Sequence, residues 1–319
     1  MERIIIDTDP GIDDAFAIFL ALASDAITVE GITTVEGNGT LEHVTENAKR
    51  ILSFAGRADI PVCPGARLPG HDFSVVNQIH GFDAFGDVLE ESLANGIGES
   101  EEAVDFILRT VSENPGEITI AALGPLKNIA EAIKRAPEVM KDLKRLIIMG
   151  GALNGGNVTP VAEANIHGDP LSAHIVFSSD IGEIIMTGLD ATSKFHISAD
   201  LREILYQLDD EIAQLLYKIS RVYVDFYFKT SQIIGFVPHD VLVILYLIDP
   251  SVIDTHEYRI SVVTERGPAL GQTVVTEGRT NARVCIDLHY REAIRLFYRT
   301  MFPDSREILD CVLDRLWSQ

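Results

Sequence analysis

Basic residues are scarce in this chain. Its 319 residues include 26 Lys+Arg against 48 Asp+Glu, a formal charge of −22 at pH 7. So acidic a surface repels phosphate backbones and anionic headgroups, which argues against nucleic acid or a membrane surface as partner. Cysteine is rare too: Cys63, Cys285 and Cys311 are far apart, odd in number and without CxxC spacing. That argues against a disulfide framework or a structural zinc and for a reducing, cytoplasmic compartment. Apolar runs such as Val241–Ile248 are too short to cross a bilayer. Met1-Glu2-Arg3 leads directly into Ile4-Ile5-Ile6-Asp7, so no basic-then-apolar leader is expected. Neither GxxxxGK[ST] nor GxGxxG occurs, which removes the common phosphate cradles. Repeats and Pro/Ser-rich linkers are missing as well.

What is present is an ordinary globular composition with 46% hydrophobic residues, enough for a large core. Short β-branched runs alternate with helical periodicity. Arg3–Asp7, Ile27–Val35, Glu117–Leu123, Arg145–Met149 and Glu183–Thr187 read as strands. Asp13–Ala23, Leu41–Ala55, Pro125–Arg135 and Pro170–Ser178 read as helices between them. This alternation predicts an α/β fold: an open, mostly parallel, Rossmann-like sheet with helices on both faces. Ala199–Thr230 and Asp240–Leu247 read as further helices. Tyr258–Thr264, Gln272–Thr276 and Arg283–Leu288 read as a small C-terminal antiparallel addition, the whole forming one domain over 1–319. Gly65–Gly86 and Gly150–Glu163 read as long loops, and loops of that length are often functional.

Ligands of open parallel sheets bind beyond the carboxyl ends of the strands. After the first strand stands Asp7-Thr8-Asp9-Pro10-Gly11-Ile12-Asp13-Asp14, four carboxylates in eight residues. One or two can cap a helix, but four repel one another unless a cation or shared protons intervene. An all-oxygen cluster suits a hard cation. Other strand ends carry Gly37-Asn38, Leu123–Asn128, Gly150-Gly151, Asn157 and Glu163-Ala164-Asn165. Amide and carboxylate side chains of this kind suit sugar hydroxyls. Pro238-His239-Asp240 adds an imidazole and a carboxylate at a helix start.

Taken together and in this order, DTDPGIDDA (Asp7–Ala15), Gly37-Asn38, His80-Gly81, LGPLKN (Leu123–Asn128), IMGG (Ile148–Gly151), GNVTP with Glu163-x-Asn165, and PHD (Pro238–Asp240) closely resemble the nucleoside hydrolase family of the inosine–uridine type. The resemblance implies a bound Ca²⁺ held by Asp9, Asp14, Asp240 and the Leu123 carbonyl, with water and the ribose 2′- and 3′-hydroxyls completing its shell. Asp7 is expected to fix the turn without touching the ion. Asp13, Asn38, Met149 through its backbone, Asn157, Glu163 and Asn165 match ribose-holding positions. Asp9 matches the general base and His239 the general acid, with His80 beside the leaving base. Tyr223 and Tyr227, four apart on one helix face, match tyrosines that close over the base. The implied reaction is hydrolysis of the N-glycosidic bond of inosine, uridine and related ribonucleosides through an oxocarbenium-like state. A homodimer or homotetramer is implied too.

Several features resist that pattern or are explained without it. Ala164 stands where many relatives carry Phe, which leaves the base wall open to a pyrimidine-specific alternative. The single Trp317 lies far from the motifs, unlike the indoles that stack the base in the purine-specific branch. The loop Gly81–Gly86 matches no branch pattern. His43, His71, His167, His174, His196, His256 and His289 read as ordinary histidines, and Phe228 as core. Two other classes compete: an aspartyl phosphohydrolase built on Asp7-Thr8-Asp9, and a non-catalytic ribose or Ca²⁺ binder. The first lacks Thr or Val at Gly11 and has no use for the Asn/Glu-rich loop. The second leaves a base and an acid without a task.

Overall fold

Side-chain alternation in the strands sets the layers. In β1 (Glu2–Thr8), Ile4 and Ile6 enter one hydrophobic core and Ile5 the other. In β5 (Arg145–Met149), Ile147 and Met149 join the first core, Leu146 and Ile148 the second. Strands buried on both faces need helices above and below, the condition of a parallel sheet.

The computed structural model describes residues 1–68, 70, 79–86 and 101–318. Its remaining strands are β2 (Ile27–Thr34), β3 (Val62–Pro64), β4 (Ile118–Ala122), β6 (Glu183–Thr187), β7 (Ile197–Ser198), β8 (Gly235–Phe236), β9 (Ile253–Tyr258), β10 (Ile260–Val262), β11 (Thr273–Val275) and β12 (Ala282–Leu288). The main sheet has eight strands in the order β3–β2–β1–β4–β5–β6–β12–β9. Every pairing from β3 to β12 is parallel, and the edge strand β9 runs antiparallel to β12. The expected open, mostly parallel sheet is therefore present. From β1 the chain moves outward through β2 and β3, then returns to the other side at β4. Between β1 and β4 lies the topological switch point, where strand ends leave a crevice.

The Ile12–Ala23 helix is buried from Ile12 to Ala21. A helix apolar on all sides belongs in the interior. It packs against the Val241–Ile248, Glu211–Ser231 and Tyr290–Met301 helices. The Ala103–Glu113, Lys127–Arg135 and Pro170–Phe177 helices cover the other core. Among the described residues no helix is long and apolar enough to cross a membrane.

The C-terminal expectation needs correction. β10 and β11 form the small antiparallel pair, but Arg283–Leu288 does not join them. It lies in the main sheet as part of β12, parallel to β6. Its partner β9 escapes sequence reading because its Asp254, His256 and Glu257 are exposed, which erases the alternation that marks a half-buried strand. The Ala103–Glu113 helix and β3 are also unforeseen. The stretch 199–230 is two helices, Ala199–Gln207 and Glu211–Ser231, because Asp210 caps the second by accepting from Ala213 N at 2.8 Å. Phe228 is 56% exposed, since the last turn of that helix runs past the core. Residues 69 and 71–78 of the first long loop, His71 among them, lie outside the described residues.

Cys63 and Cys285 are buried and Cys311 is exposed. Burial pushes the Cys285 thiol up to about 12. A thiol reagent near neutral pH is expected to titrate one cysteine in the native protein and three after denaturation. A rapid second equivalent in the native state would contradict that burial.

Candidate active site

β1 ends at Thr8, and Asp9-Pro10-Gly11 turns the chain directly into the Ile12–Ala23 helix. Asp13 and Asp14 fall in its first turn, where the helix dipole favours negative charge. Asp240 arrives at the start of the Val241–Ile248 helix. One oxygen from each of Asp13, Asp14 and Asp240 lies within 4.8 Å of the others, and all three residues are buried. Asp14 accepts from the Thr8 hydroxyl, from Gly11 N at 2.9 Å and from Asn38 Nδ2 at 3.1 Å. Asp9 stands close enough to feel the charge of Asp14 and Asp13. Its Oδ2 accepts from Asn38 N at 2.8 Å. A Cβ at Gly37 or Gly124 would collide with its carboxylate, so both positions need glycine.

Burial holds Asp9, Asp13, Asp14 and Asp240 above the usual carboxylate range, Asp13 at about 7. Repulsion from neighbouring carboxylates adds to this for Asp9, Asp13 and Asp240. Such a cluster costs stability unless a cation compensates. Asp13 Oδ1 is buried without a hydrogen-bond partner among the described residues. An orphaned oxygen within an all-oxygen donor set fits a hard divalent cation. The sequence expectation put Asp9, Asp14, Asp240 and Leu123 around that ion. In the structure Asp13, rather than Asp9, completes the tight group. Asp7 faces away from it: Oδ1 accepts from Thr33 Oγ1 at 2.5 Å and Asn128 Nδ2 at 2.7 Å.

Asn165 reaches across two strand ends. Its Nδ2 donates to the Leu123 carbonyl at 2.6 Å and to the Met149 carbonyl at 3.0 Å. A carbonyl oxygen has two lone pairs, so Leu123 keeps capacity for a second partner. Glu163 is 2% exposed, and its carboxylate caps the Ala164–Gly168 helix. It accepts from Asn165 N at 2.9 Å, Ile166 N at 3.1 Å and Gly151 N at 2.9 Å. Asn157 is exposed, and its Oδ1 accepts from Ala164 N at 2.9 Å.

Two imidazoles and two phenols gather beside the acids. His80 Nδ1 accepts from Ile12 N at 3.1 Å, which leaves its proton on Nε2. The His80 and Tyr223 rings are 5.4 Å apart, and Tyr223 and Tyr227 5.2 Å. Tyr223 OH donates to Asp13 Oδ2 at 3.2 Å. His239 has Tyr227 OH 3.1 Å from Nε2 and Thr192 Oγ1 2.8 Å from Nδ1. Burial lowers His80 to about 3 and His239 to about 4, so both are neutral near pH 7. A neutral imidazole still donates its one N–H to a developing anion.

A family model described as "Inosine-uridine preferring nucleoside hydrolase" matches residues 4–295. The chain belongs to this nucleoside hydrolase family. Among relatives, "Probable uridine nucleosidase 2" of Arabidopsis thaliana is 38% identical, with 99% of this chain and 97% of the relative covered. "Pyrimidine-specific ribonucleoside hydrolase RihA" of Citrobacter koseri is 35% identical over 89% and 93%. Among solved structures, a plant nucleoside hydrolase, the PpNRh1 enzyme, superposes with a TM-score of 0.88 at 32% identity, covering 94% of this chain and 98% of that one.

In this nucleoside hydrolase several residues hold the site in place; Asn128 closes the LGPLKN motif, whereas Asn47 and Asp190 carry no sequence signal of their own. Asn128 is fully buried and ties Asp7 of β1, the Thr34 carbonyl of β2 and the Ala66 amide after β3. Asn47 holds the Pro10 and Asp83 carbonyls at 3.1 and 2.9 Å. Asp190 anchors the 150–163 loop through Leu153 N at 2.6 Å and Asn154 N at 3.1 Å. Trp317 sits in the C-terminal helix under Arg291 and Arg295.

Proposed function

We propose that this nucleoside hydrolase cleaves ribonucleosides, inosine and uridine among them, to ribose and free base with the help of Ca²⁺. The observation that carries this reading is the buried Asp13/Asp14/Asp240 group with Asp9 beside it at the sheet's switch point. Ca²⁺, when bound, supplies positive charge that holds the ribose 2′- and 3′-hydroxyls and acidifies adjacent water. Asp9 accepts the water's proton as its oxygen bonds to C1′ of the ribose. The C1′–N bond breaks, and its electron pair leaves with the base, which takes a proton from the His239 side. Positive charge builds on the ribose as this happens. Oxygens of the buried Asp13 and Glu163 and of the half-buried Asn165 favour that charge over the neutral ground state. His80, Tyr223 and Tyr227 bound the base. A homodimer or homotetramer in a reducing, cytoplasmic compartment completes the proposal; the scarcity and odd number of cysteines support the compartment.

A narrower reading, cleavage of pyrimidine ribonucleosides alone, is supported by Ala164, which is exposed and offers no aromatic wall, and by relatives with pyrimidine in their names. Reducing-sugar release from inosine, uridine, cytidine and 2′-deoxyinosine in phosphate-free buffer separates the two. Release from inosine and uridine but not from the deoxy substrate is the expected result. Uridine and cytidine alone would select the narrower reading, and no release from any ribonucleoside would overturn both.

A further inference from the structure

Thr192 closes the short Leu189–Thr192 helix, two residues after Asp190. Its side chain is fully buried, and its hydroxyl lies 2.8 Å from His239 Nδ1 with no other hydrogen-bond partner among the described residues. At the other side of the imidazole, Tyr227 OH lies 3.1 Å from Nε2 and donates to the Val237 carbonyl at 3.5 Å. The Thr192 end decides the proton placement. A buried hydroxyl with a single partner donates to it, because an unpaired buried donor is costly. Nδ1 therefore accepts. Nε2 then carries the proton, and Tyr227 OH, 3.1 Å away, is placed to accept it.

We propose that Thr192 is a positioning residue that holds His239 in the tautomer with its proton on Nε2, the nitrogen facing Tyr227. The opposite tautomer would direct the ring's only N–H at Thr192, away from the departing base. The turn that carries Thr192 is itself held: Leu189 N donates to the Gly151 carbonyl at 2.9 Å and Thr192 N to the Gly188 carbonyl at 3.0 Å. One short turn thus steadies the sugar-side loop through Asp190 and the base-side imidazole through Thr192. This rests on the reading of His239 as proton donor to the base.

The test compares uridine with p-nitrophenyl riboside, whose acidic phenol leaves without a proton donor. Thr192→Val is expected to lower kcat on uridine by about 10- to 100-fold, a part of the usual general-acid contribution, with KM and the p-nitrophenyl rate within about twofold. Thr192→Ser restores the uridine rate. His239→Gln shows the same split, more deeply. Equal losses on both substrates for Thr192→Val, or no loss on either, overturn the proposal while a discriminating His239→Gln leaves the donor reading intact. A His239→Gln that does not discriminate overturns both. Should Thr192→Val fail to fold, ¹⁵N shifts of His239 in the unsubstituted holoenzyme decide: a protonated Nε2 supports the proposal and a protonated Nδ1 overturns it.

Discussion

Asp9→Asn is expected to lower kcat on uridine by about 10²- to 10⁴-fold, the usual contribution of a general base. The change is nearly isosteric, and an amide oxygen still accepts the Asn38 N–H now donated to Oδ2. What disappears is the capacity to take a proton from water. Stability should move the other way. Asp9 is buried and repelled by Asp14 and Asp13, so neutralising it relieves a cost in the metal-free protein. Lost turnover with an unchanged or higher metal-free Tm is the predicted pair of results, read by a sugar-release assay and a thermal melt. Gly37→Ala offers an independent route to the same carboxylate, since its Cβ would drive into Oδ2. The double variant should be little worse than Asp9→Asn alone, because both act on one group. Near-normal turnover by Asp9→Asn would remove Asp9 from the chemistry.

Chelation should be as severe. Stripping divalent ions is expected to abolish sugar release, and adding Ca²⁺ to restore it. The melting temperature should follow. A ligand that binds the native state alone adds about 2.7 kcal/mol at a hundredfold excess over its Kd. That corresponds to an upward shift of a few degrees for a chain of this size. Asp240→Asn should abolish the Ca²⁺-induced shift, because Asp240 belongs to the tight oxygen group. A chelated protein, metal-free by elemental analysis, that kept full activity would sink the Ca²⁺ reading.

The parts of this molecule legible in sequence are those where chemistry and local order coincide. Asp7 to Asp14 announce themselves because four carboxylates in eight residues have few uses other than a cation. The parallel core strands show because Ile4, Ile5 and Ile6 are buried on both faces. Leu123 and Met149 offer main-chain oxygens, which no side chain betrays, so only the family resemblance points to them. Thr192 and Asn47 are ordinary residues until folding brings them to partners 47 and 37 positions away. β9 was hidden for a related reason: an edge strand with exposed side chains draws its stability from pairing with β12, which leaves no hydrophobic pattern to read. Phe228 looked like core because its helix is amphipathic, yet packing ends before the helix does.

The tie made by Asn128 has a bearing on how such an enzyme can change. It locks the ends of β1 and β2 and the chain just beyond β3, and with them the turn that carries the acids proposed to act on the sugar. His80, Tyr223 and Tyr227 stand on segments outside the sheet. Tyr223 and His80 touch the acids' helix through Asp13 Oδ2 and Ile12 N, so mutation that keeps these two side chains can explore new leaving groups, a modularity that selection can exploit. Libraries confined to residues 79–86 and 224–234, with His80 kept, would sample substrate range while Asp13 and the Ile12 turn keep their contacts.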